Sequence, residues 1–114
     1  MELQKYINSN PNYISVFKKN GFKVKSFKDM NIISYSYDNP PSLELNDNLW
    51  KLYLRGAVIN KKGKIICLPP VKSFEINDVN DIPNYDETIE YESLIDGTMI
   101  NLFYSNDEWL ISTR

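Results

Sequence analysis

The chain has 114 residues, 42% of them hydrophobic and 13% aromatic, with a net charge of −2. That is enough apolar area for one folded domain over residues 1–114, and too little positive charge for a global nucleic-acid-binding field. One cysteine and no histidine exclude an internal disulfide, a His/Cys zinc site and any histidine-based triad.

Leu3, Tyr6 and Ile7 recur at helical spacing and predict a short helix that ends at Asn8-Ser9-Asn10-Pro11. Tyr13, Val16 and Phe17 predict a second, with Gly21 as its stop signal. Phe22, Val24 and Phe27 fit a strand less regularly. Ile32, Ile33, Tyr35 and Tyr37 fit one that ends at Asp38-Asn39-Pro40-Pro41. Leu49 through Ile59 is read as a long strand, followed by a turn at Asn60-Lys61-Lys62-Gly63 and a returning strand from Lys64 to Leu68. Pro69-Pro70 ends that hairpin.

Asn77 to Asp86 is rich in Asn, Asp and Pro and reads as a surface loop. Thr88 to Ile95, Met99 to Tyr104 and Trp109 to Ser112 read as three further strands. Asp96-Gly97 and Ser105-Asn106-Asp107 are the turns between them. The expected class is α+β: short N-terminal helices followed by a mainly antiparallel sheet. The polar start Met1-Glu2-Leu3-Gln4-Lys5 is no signal peptide, and no apolar run reaches the length of a membrane span. Cys67, within Ile65-Ile66-Cys67-Leu68, reads as a small buried hydrophobe, and its solitude suits the cytoplasm.

Several blocks, in order, carry a resemblance. They are Ser34-Tyr35, Leu54-Arg55-Gly56-Ala57-Val58, Lys64-Ile65-Ile66-Cys67-Leu68-Pro69, Lys72-Ser73-Phe74, Leu94-Ile95-Asp96-Gly97-Thr98 and Ser112-Thr113-Arg114. From about residue 32 to residue 114 the chain resembles the N-terminal part of the adenylation domain of ATP-dependent RNA ligases. The T-even phage tRNA-repair type is nearest. The resemblance implies a partial nucleotidyltransferase fold and a site for ATP with magnesium. In it Arg55 and Lys72 would serve the phosphates, with Arg114 nearby. Tyr35 and Phe74 would lie by the nucleotide, Asp96 would fix the turn, and Gly97 would permit close backbone approach. No resident metal ligand is assigned. A viral member of this kind would act in host cytoplasm or be carried in the virion.

Leu94 occupies the position where the family's Lys-x-Asp-Gly motif has its nucleophilic lysine. A leucine has no lone pair with which to attack the α-phosphate. The chain also ends straight after a strand, as a fragment of a longer domain would, and the family's later motifs lie beyond that point. The resemblance therefore implies a ligase-like fragment that does not form the lysine–AMP intermediate by itself and retains nucleotide or RNA-end binding. A true ligase cut short is a second reading. A small non-enzymatic interaction or structural module that keeps only the fold is a third. The partners implied are RNA ends, or a second protein or chain that completes the domain.

Read from the residues alone, each position has a plainer role. Arg55 would stack on Tyr53 or Trp50 and pair with a surface acid, and Lys72 would be a solvated loop lysine. Phe74 would be a core residue, and Asp96-Gly97 a hairpin turn.

Overall fold

The computed structural model describes residues 1–35, 49–71, 92–93 and 97–113. They form an α+β arrangement of two helices, a four-stranded antiparallel sheet and a separate two-stranded hairpin. Helix α1 spans Glu2–Ser9 and α2 spans Tyr13–Lys19. Both begin and end where the apolar spacing predicts. Asn10 and Asn20 close the two helices by donating side-chain hydrogen bonds to the Tyr6 and Val16 carbonyls, at 2.8 and 2.9 Å.

The end of α2 follows from its sequence in detail. The Phe22 N–H donates to the Phe17 carbonyl and the Gly21 N–H to the Lys18 carbonyl, each at 3.1 Å. This pair of bonds defines the Schellman motif, and it needs a left-handed residue after the cap. Gly21 supplies it with φ 85°. The apolar contact that accompanies the motif is Phe17 against Phe22, edge to face at 6.4 Å.

The sheet order is β1-β2-β3-β4, built from Lys23–Phe27, Met30–Ser34, Val58–Asn60 and Ile65–Cys67. The β1–β2 turn at Lys28-Asp29 carries no glycine, and Lys28 itself takes φ 51°. The expected strand over Ile32–Tyr37 is displaced. It starts at Met30 and ends at Ser34, and its last two expected positions lie outside the described residues.

The long strand expected over Leu49–Ile59 is not formed. Leu49–Tyr53 is a 3-10 helix, Leu54 to Ala57 is a turn, and only Val58–Asn60 joins the sheet. Period three explains the change, because residues i and i+3 of a 3-10 helix point the same way. Trp50 and Tyr53 both reach the same core, an outcome that strand alternation would forbid. The β3–β4 hairpin forms as expected, with a register irregularity at Val58/Ile59. Asn60 Oδ1 stabilises its turn by accepting from the Lys62 and Lys64 N–H groups at 3.0 and 2.9 Å.

Strands β5 (Ile100–Ser105) and β6 (Glu108–Thr113) pair in full register from Ile100↔Thr113 to Ser105↔Glu108. The expected turn at Ser105-Asn106-Asp107 is present, with Asn106 and Asp107 at φ 51° and 61°. Both values suit the twist of a tight hairpin. Of the strand expected over Thr88–Ile95, only Glu92 and Ser93 are described, and they are not in a strand. The expected loop over Asn77–Asp86 lies outside the described residues.

Alternation along the strands divides the core. Ile33, Ala57 and Ile59 face the helices and meet Leu3, Ile7, Phe17 and Trp50. Met30 and Val58 face the other way and meet Phe103 of the hairpin, with Ile32, Ile66, Cys67 and Leu110 around them. The sheet is thus the middle of three layers. Among the described residues no helix is long and apolar enough to cross a membrane.

Candidate functional site

The residues singled out by the resemblance divide sharply. Tyr35, Arg55 and Gly97 are described, whereas Leu94, Asp96, Lys72, Phe74 and Arg114 lie outside the described residues.

Tyr35 and Arg55 come together. Tyr35 follows the end of β2, and Arg55 occupies the turn between the 3-10 helix and β3. That turn is anchored to the sheet, since the Gly56 N–H donates to the Ile33 carbonyl at 2.7 Å. Gly56 has φ 89° and is buried, so the turn needs a residue without a Cβ there. The anchored turn carries the Arg55 guanidinium over the Tyr35 ring, 5.3 Å from its centroid. Arg55 therefore stacks on Tyr35, not on Tyr53 or Trp50 as the residue-level reading expected.

Phe22 holds the Tyr35 ring from another side, edge to face at 6.0 Å. The Tyr35 hydroxyl is buried and makes no hydrogen bond among the described residues. The hairpin reaches the same corner, where Asn101 Nδ2 donates to the Gly56 carbonyl at 3.4 Å. Asn101 is buried, and this bond links β5 to the Arg55-Gly56 turn. Sequence reasoning missed Asn101. Its one signal was a polar residue at an inward position of an alternating strand. Gly97 has φ 157°, and a Cβ built there would meet nothing within 4 Å.

A groove of about 400 Å³ runs between the β1–β2 strands and β6. Lys25 and Phe27 line one wall, Ser112 and Thr113 the other, and Ser34 lies between them in sequence. The Ser112 hydroxyl is buried and makes no hydrogen bond among the described residues. Ile32 and Ile111 also line it, so one ammonium and a few hydroxyls share the groove with a larger apolar surface.

Cys67 is the lone thiol, and burial pushes its pKa up, which keeps it protonated and weakly nucleophilic at neutral pH. Among the described residues no three His, Cys, Asp or Glu side chains cluster as metal ligands. No family model, no curated protein and no solved structure matches this chain.

Proposed function

We propose that the chain is an RNA-ligase-like nucleotidyltransferase fragment that binds a nucleotide, ATP with its magnesium, or an RNA end, and does not form the lysine–AMP intermediate by itself. One observation carries the reading. Tyr35, the Arg55-Gly56 turn and β5, which begins shortly after the Asp96-Gly97 frame, are far apart in sequence and meet at one corner of the sheet. The Arg55 guanidinium over the Tyr35 ring brings a permanent cation to this corner, the kind of group that recognises phosphate. The reading assigns phosphate contact to Arg55 and places the nucleotide beside Tyr35. Lys72, Phe74, Asp96, Gly97 and Arg114 complete the site as the sequence resemblance implies. Leu94 withholds the nucleophile.

The test pairs binding with labelling. ATP and magnesium should raise the thermal midpoint of the full chain, and Arg55→Gln should remove that shift while leaving the unliganded midpoint nearly unchanged. Incubation with α-labelled ATP should leave no label after denaturation in SDS, and Leu94→Lys should introduce it if the pocket is complete. Covalent AMP on the wild-type chain would sink the inactive half of the proposal. Absence of any shift with ATP and with a 5′-phosphorylated RNA would sink the binding half.

A further inference from the structure

The hairpin β5–β6 carries apolar residues on both faces. Its inner face, with Phe103 and Leu110, packs on the sheet. Its outer face carries Ile100, Leu102 and Tyr104 on one strand and Trp109 and Ile111 on the other, each 55–68% exposed. These side chains form cross-strand pairs in register: Ile100 with Thr113, Leu102 with Ile111 and Tyr104 with Trp109. No charged residue occupies any of these six outward positions. Together they form one contiguous patch of large exposed apolar side chains, the kind of surface that marks an interaction site.

We infer that this face is a homodimer interface, in which two copies of the chain stack hairpin on hairpin. The shape of the face selects a second copy as its occupant. It tapers along the strands, from the large Tyr104–Trp109 pair at the turn end to the smaller Ile100–Thr113 pair at the open end. Consider a two-fold axis that lies in the interface, perpendicular to the strands, and passes through the Leu102–Ile111 pair. It sets Tyr104 over Ile100 of a second copy and Trp109 over Thr113 of that copy. Each thick end then meets a thin end, and the layers keep the even separation of about 10 Å that stacked sheets require. A face that carries charge of one sign would repel its own image across such an axis. This one has none to repel. The inference does not rest on nucleotide binding.

Sedimentation velocity of the full chain from about 1 to 100 µM tests it. The expected result is a monomer–dimer transition, accompanied by a blue shift of tryptophan emission as Trp109 leaves water while the already buried Trp50 stays unchanged. Leu102→Lys and, independently, Ile111→Thr should each shift the transition at least tenfold toward the monomer. Both sites point outward, so the native far-UV spectrum should persist. A wild-type chain that stays monomeric at the highest concentration overturns the inference. So does a dimer that survives both substitutions, because its contact must lie elsewhere. A monomer whose Trp109 resists acrylamide quenching also overturns it, since the chain itself would then cover the face.

Discussion

The two faces of the four-stranded sheet are covered by different means. On one, two helices and a 3-10 helix bring Leu3, Ile7, Phe17 and Trp50 onto Ile33 and Ile59, and Trp50 stacks on Tyr6 and Phe17 at 4.3 and 5.3 Å. On the other, among the described residues, a single hairpin lays Phe103 on Met30 and Val58. The helical side is a core with its polar surface turned outward. The hairpin side is a thin layer that buries one row of apolar residues and shows water another. Among the described residues the helical face holds most of the buried apolar side chains, and the hairpin, with exposed apolar residues on its outer side, is the layer that the proposed dimer would use.

The sharpest way to break that contrast is to truncate one aromatic on each side. Phe17→Ala should cost about 4 kcal/mol and unfold the described domain as a unit, read by urea denaturation. Phe103→Ala should cost about 3 kcal/mol or less. Hydrogen exchange should then show β5–β6 amides unprotected while β1–β3 amides stay protected. Equal costs with global unfolding in both variants would mean that the hairpin is as integral as the helices.

A smaller effect is expected at Gly21. Gly21→Ala puts a Cβ on a left-handed residue and should cost about 1–2 kcal/mol in denaturant unfolding, with the loss centred on α2. The smallest is expected where the turns of the two sheets touch. Lys28 pairs with Glu108, and Asn106 Nδ2 donates to Asp29 Oδ1 at 2.9 Å. The pair is nearly half exposed, so Lys28→Ala should cost about 0.5 kcal/mol or less. A larger loss would show that the turns, and not Phe103, hold the hairpin down.

The parts legible in the sequence are those whose signals are local. Both helices could be read from apolar spacing and their Asn and Gly stops, and the hairpins at Asn60–Gly63 and Asn106-Asp107 from turn chemistry. Two failures share a physical cause. Trp50, Leu52 and Leu54 mimic strand alternation, and only the tertiary demand that Trp50 and Tyr53 reach one core selects the 3-10 helix. The Lys28-Asp29 turn has no glycine, so nothing local announces that β2 begins at Met30. At the candidate site, Tyr35 and Arg55 could each be picked out from the resemblance. Their stacking depends on a backbone bond from Gly56 to Ile33 across two strands, which spacing alone does not reveal.

Gln4 has a consequence for how the chain acquires this shape. Its amide nitrogen donates to the Gly63 carbonyl at 2.8 Å, and its amide oxygen accepts from the Ile65 N–H at 3.0 Å. A single side chain near the start of the chain thus sutures α1 to the β3–β4 hairpin some sixty residues later. During synthesis the first helix emerges long before its counterpart, and at ribosomal speed it waits roughly 3–12 seconds for that hairpin to be made. Over that interval the apolar stripe of Leu3 and Ile7 is without its final partners. The helix, made well before the hairpin, is fastened only once the hairpin exists.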